Sequence, residues 1–245
     1  MLDHYLKLGD ASIEIRYVDG EREFAELALE SLNDKLPSLM DTFQIPGAFP
    51  AITVVLVPDR NEFDRLVRDL LQVEIEIPSH PARIAQPQRT DMIVLSPSAY
   101  AAHSPFSYVP DDFRRLLVHE LVHMMEELLT PDMEVSPRWW SEGLAVFLSE
   151  QCRYEDGFRQ PAVYGVAQDA IPSLSQIEAD VTLAYDWGWT IVAFIEAQYG
   201  KDMIVRIVKA CADGDVLAFL EGDRRMIEKC WQEWLTQCLQ IGRRG

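Results

Sequence analysis

The chain has 245 residues, of which 48% are hydrophobic and 25% charged, enough for one large domain or two lobes with a well-buried core. A formal net charge of -18 at pH 7 would repel a phosphate backbone, which argues against nucleic acid as a partner. No apolar run approaches the ~20 residues needed to cross a bilayer, so no membrane role is expected.

Met1 to Asp10 lacks the basic, apolar and small-residue regions of a secretion signal, and a cytoplasmic setting is the expectation. Cys152, Cys211, Cys230 and Cys238 form no C-x-x-C pair. The last two would sit about 12 Å apart along one helix, too far for a bridge, so all four read as buried thiols in a reducing compartment.

Residues 11 to 18 alternate like a strand with one buried face. From Glu21 to Met40 the apolar positions Phe24, Leu27, Ala28, Leu32 and Leu36 recur at helical spacing. Ala51 to Val57 is β-branched and nearly continuous, as in a strand covered on both faces, and Pro58-Asp59 leads into a helix over 60–71. This strand, helix, strand, helix order predicts an α/β lobe, and the lack of a Gly-rich loop after either strand removes a nucleotide-binding reading. Val73 to Pro87 has three prolines and no sustained period, so it reads as a loop with a short strand at Ala82 to Ala85. Met92 to Leu95 is a clearer strand. His4, His80 and His103 are isolated histidines and read as non-ligating.

Next comes His119-Glu120-Leu121-Val122-His123, inside a helix marked by Phe113, Leu117, Leu121, Val122 and Met125. Pro110-Asp111-Asp112 suits its first turn and Thr130-Pro131 stops it. Positions i and i+4 share one helix face, so two imidazoles one turn apart can reach a common zinc ion, while Glu120 lies on the flank as a general base. A chance match in a solvated helix is the bland alternative, but buried histidines beside a carboxylate need partners.

A catalytic zinc site usually has three protein ligands. A metzincin would carry Gly and His at positions 126 and 129; this chain has Glu126 and Leu129, which excludes that class. Glu142, in Trp139-Trp140-Ser141-Glu142-Gly143-Leu144-Ala145, is the candidate third ligand, against a plain surface glutamate. Ser136-Pro137 reads as N-cap and first residue of its helix, and Gly143 and Ala145 as small residues allowing close packing on the HExxH helix. Arg153 to Ala184 reads as a polar, irregular segment of the kind that shapes access to a site. Helices follow over 187–199, 201–212 and 224–239, with a short piece near 216–220 and with Trp231 and Trp234 in the core.

His119-Glu120-x-x-His123, eighteen intervening residues, then Glu142 within Trp-x-Glu-Gly-x-Ala resembles the gluzincin peptidases, meaning the aminopeptidase-N family and shorter peptidase MA-like domains. Tyr185-Asp186-Trp187-Gly188 before a helix is similar to the Tyr-x-x-Gly segment of the same families. The resemblance covers about residues 113 to 200. It implies a zincin-like α+β fold, with an α/β lobe over 1–98, a mainly helical lobe over 99–245, and a zinc site between them. It further implies Zn²⁺ on His119, His123 and Glu142, Glu120 as general base, and Tyr185 as donor to the reacting carbonyl. On chemistry alone Tyr185 reads first as an aromatic neighbour of Trp187 and Trp189, and Tyr164 is a rival phenol. The resemblance also implies that Met92, Ile93, Val94 and Leu95 form an edge strand that binds substrate backbone; an ordinary interior strand is the alternative.

The Gly-x-Met-Glu-Asn stretch that anchors a free amino terminus in aminopeptidases is missing, which favours an endopeptidase acting on peptides or proteins. Two other classes stay open: a non-catalytic peptide-binding module that retains the zinc scaffold, and a zinc hydrolase of a non-peptide amide or ester. Nothing in the chain speaks to its oligomeric state.

Overall fold

The computed structural model describes residues 2, 4–130, 136–210 and 215–241, which form an α+β fold containing a five-stranded mixed sheet. The stop signal at Pro131, Cys211 and the expected helix end at Ala212 lie outside the described residues. Two compact units divide the chain at residues 125 and 126.

The first unit holds the sheet. Strand β1 (Leu6–Gly9) pairs antiparallel with β2 (Ile13–Tyr17). In β2 the residues Ile13, Ile15 and Tyr17 are buried while Glu14 and Arg16 alternate outward, the period-two pattern of a half-covered strand. Helix α1 (Arg22–Phe43) carries the chain to β3 (Ile52–Val57), and α2 (Arg60–Asp69) follows, capped by the Asp59 side chain on the Glu62 N–H at 2.9 Å. Strands β4 (Ala85–Gln88) and β5 (Asp91–Leu95) complete the order β1-β2-β3-β5-β4. Strands β2, β3 and β5 run parallel, and β1 and β4 are antiparallel flanks. A one-turn helix α3 (Tyr100–His103) leads to α4 (Pro110–Leu129), the HExxH helix.

The chain beyond β5 stays bonded to the sheet unit. The Ser96 N–H donates to the Val57 carbonyl, Arg60 to the His103 carbonyl at 2.9 Å, and Arg114 to Glu30 at 2.8 Å.

The interior of this unit includes a polar knot. Asp64 is 1% exposed and accepts both the N–H and the hydroxyl of Ser79; Arg60 donates to the same hydroxyl and to the carbonyls of Pro81, Arg83 and His103. The knot ties the segment after α2 to the helix itself, in a stretch with no periodic pattern of its own. Asp64→Ala is expected to destabilise the fold by about 3 kcal/mol, since it leaves the buried Ser79 N–H and hydroxyl without their acceptor and removes a negative charge that favours the Arg60 guanidinium. A shift of the urea midpoint with unchanged slope checks this.

Strand β5 is not an edge. It pairs with β3 on one side and β4 on the other, and Met92, Ile93, Val94 and Leu95 are all fully buried. Four successive apolar residues without exposure mark a strand covered on both faces, so its backbone has no open side for a substrate. The flank is β4, three residues later than the expected 82–85. The Leu95 N–H bonds the Ile84 carbonyl, so with the alternation of an antiparallel ladder the outward-facing groups of β4 belong to Ala85 and Pro87. Pro87 has no N–H, and its carbonyl accepts the Gln86 side-chain amide at 3.1 Å. The flank is thus blunted against pairing with a further strand.

The second unit is helical. Helix α5 (Arg138–Leu148) begins after Pro137, which takes the capping position with an extended ψ of 135°, so the helix starts one residue later than expected and Ser136 is not its cap. Arg153 to Ala184 is largely helical rather than irregular: α6 (Gln151–Tyr154), α7 (Asp156–Ala167) and α8 (Leu174–Ala179) occupy most of it. Pro161 and Gly165 inside α7 conceal a helix that tertiary contact favours, for Gly165 lies directly against the Trp187 ring and the Trp189 indole N–H donates to the Phe158 carbonyl at 3.1 Å. Helix α9 (Val181–Tyr199), α10 (Lys201–Ala210) and α11 (Arg224–Ile241) follow.

Trp231 is buried, with its N–H on the Thr190 hydroxyl at 3.1 Å. Cys152 is buried too, and burial pushes its thiol up to about 12. Cys230 and Cys238 are exposed, contrary to expectation, because Ile227, Trp231 and Leu235 define the inward stripe of α11 and the cysteines fall off it. No helix among the described residues is long and apolar enough to cross a membrane.

Candidate metal centre

Helix α4 opens as its sequence dictates, with Pro110 and two aspartates in the first turn, and closes with the Thr130 N–H on the Glu126 carbonyl at 2.7 Å. Phe113, Leu117, Leu121, Val122, Met124 and Met125 are buried, while Leu128 is exposed where the helix runs out. This burial leaves His119 only 6% exposed, with Glu120 beside it similarly enclosed and His123 half-buried.

The two imidazoles converge. Their Nε2 atoms stand 3.1 Å apart, with the rings steeply inclined at 78°. Two imidazole nitrogens sharing a tetrahedral zinc at about 2.0–2.1 Å would lie about 3.3 Å apart, so this pair needs almost no adjustment to share one ion. The third member is Glu142. One ligand atom from each of His119, His123 and Glu142 lies within 4.8 Å of the others. Two imidazoles and one carboxylate are a borderline donor set of the kind suited to zinc.

Glu120, between the histidines on the flank of their face, stands outside this group. So does Glu126, three residues beyond His123. It is fully buried and accepts the Ser141 hydroxyl at 2.7 Å, so its carboxylate is engaged with α5.

Gly143 does not serve the packing role expected of it. A Cβ there would lie 2.4 Å from the Gly188 carbonyl carbon, and one on Gly188 would lie 2.2 Å from the Trp139 carbonyl oxygen. The close approach is therefore made to α9, not to α4. The sequence flagged Gly143 as small; which helix it meets depends on tertiary packing.

Tyr185 lies in the second turn of α9, not ahead of it, since Asp180 caps that helix by accepting the Leu183 N–H at 3.0 Å. It is half-buried and sits three residues before Gly188, on the α9 face that meets α5. The neighbouring Asp186 carboxyl is raised above its ordinary value by burial and, secondarily, by Asp180. The rival phenol Tyr164 is 61% exposed on α7. Met92 to Leu95 lie in the sheet interior and stay outside the ligand group.

No protein-family model matches the chain, and no curated protein matches it in sequence.

Proposed function

We propose that the chain is a zinc-dependent peptidase of gluzincin type, zincin-like in fold, that hydrolyses peptide bonds and favours internal over terminal cleavage. The observation that carries this reading is the approach of the His119, His123 and Glu142 ligand atoms to within 4.8 Å of one another, beside the enclosed carboxylate of Glu120.

His119 and His123, through a ring nitrogen each, and Glu142, through a carboxylate oxygen, would hold a zinc ion. When bound, zinc polarises the scissile carbonyl and brings the pKa of water toward neutrality. Glu120 takes the proton from the attacking water on its carboxylate and later delivers it to the departing amine nitrogen. The Tyr185 hydroxyl donates to the carbonyl oxygen as negative charge builds there. Burial of the α4 core around His119 and Glu120 excludes bulk water and fixes both side chains before substrate arrives.

Substrate backbone is not held by β5, whose two sides are occupied. Peptide positioning falls to groups other than the sheet interior.

Tyr185→Phe is expected to lower kcat by one to three orders of magnitude, roughly the scale of one lost oxyanion donor, with zinc content unchanged. A kcat within about twofold of the parent would return Tyr185 to a packing role.

The decisive experiment is digestion of a peptide library at neutral pH by zinc-loaded protein, with chelated protein and Glu120→Gln as controls. Internal cleavage seen only with the loaded parent supports the proposal. Zinc-loaded protein that binds peptides without cutting them, or that cuts only esters or other amides, overturns it.

A further inference from the structure

We propose that Ser141 and Gly143, the residues on either side of Glu142, are positioning residues that present its carboxylate to the imidazole pair, with Glu126 and Gly188 as their partners. The inference rests on the metal-site reading above. A glutamate side chain has three rotatable bonds, so its carboxylate reaches a fixed point only where its own backbone is firmly placed. Both histidines come from one turn of α4, but Glu142 comes from another helix and owes its position to whatever holds α5.

Two contacts do so, one on each side of the ligand. Glu126 follows His123 by three residues and His119 by seven, so it lies on the α4 face that carries both imidazoles. Its buried carboxylate accepts the Ser141 hydroxyl at 2.7 Å, a hydrogen bond that pins the first turns of α5 to that face. On the other side, the Gly143 and Gly188 backbones touch so closely that a methyl group on either would penetrate the opposing main chain. The hydrogen bond sets the rotation of α5 about its axis, and the glycine contact sets how deeply α5 seats. Gly188 also lies one turn from Tyr185, so the same contact spaces the phenol from the ligand. Neither Glu126 nor Gly188 belongs to the ligand group.

The test measures zinc affinity by chelator competition, and the visible spectrum of the cobalt-substituted protein, for the parent, Ser141→Ala, Glu126→Ala, Glu126→Gln, Gly188→Ala and Gly157→Ala. Ser141→Ala and Glu126→Ala are expected to weaken zinc binding about tenfold to a hundredfold, the range for lost outer-sphere support, with altered cobalt bands and parent-like far-UV circular dichroism. Glu126→Gln keeps an oxygen that can accept from Ser141 and should recover to within about threefold of the parent. Gly188→Ala should lose at least as much as Ser141→Ala. If it does not fold, the Ser141 and Glu126 variants decide alone. Gly157→Ala, whose added methyl meets nothing within 4 Å, should match the parent. Parent-like affinity and cobalt bands in Ser141→Ala and Glu126→Ala overturn the positioning role while leaving the zinc site standing. A parent that takes up no zinc overturns the metal-site reading itself.

Discussion

Glu120→Gln is expected to keep a full equivalent of zinc and to lose peptide hydrolysis by about three orders of magnitude, within the 10²–10⁴ span of a general base. The amide matches the carboxylate in shape but cannot take up a proton from water. Glu120 stands outside the His119, His123 and Glu142 group, so the proposed ligands are untouched by the change. Zinc content by atomic absorption and turnover of a peptide substrate, measured on the same preparation, separate the two effects. Turnover within tenfold of the parent would remove Glu120 from the chemistry.

Glu142→Ala should produce the opposite division, with the metal lost first and activity lost as a consequence. Structural zinc sites with four ligands bind with roughly 10–16 kcal/mol, so one ligand carries about 2.5–4 kcal/mol, and its loss should weaken affinity by about two to three orders of magnitude. Chelator competition reads this directly. Glu126 is a poor substitute despite its nearness in sequence, because its carboxylate is committed to Ser141 at the α5 contact. Unchanged occupancy in Glu142→Ala would show that the third ligand has been misassigned. Together the two variants distinguish a group that moves protons from one that holds the ion.

Much of the candidate site was legible in the chain itself. The i, i+4 spacing of His119 and His123 dictates a shared helix face, and the heavily apolar surroundings dictate that this helix is buried; the structure has both. Local chemistry likewise marked the entry into α2 at Pro58-Asp59, the alternation of β2 and the Pro110 start of α4. Where reading failed, long-range contact had overridden a local signal. Pro161 and Gly165 disguised α7, whose contacts with Trp187 and Trp189 are made across the fold. An apolar run such as Met92 to Leu95 announces a strand, but its neighbours come from β3 and β4, and no local feature states whether it lies inside a sheet or at its flank.

The sequence by itself singled out the candidate ligands and the helices that carry them, because helical periodicity and side-chain chemistry act within a few residues. Only the tertiary structure decided that Gly143 meets Gly188 and that Glu126 turns to Ser141, and it alone brings the Glu142 carboxylate near the imidazoles. Those outcomes depend on how helices far apart in the chain pack together. That packing is set by the summed burial of many side chains, and no single stretch encodes it.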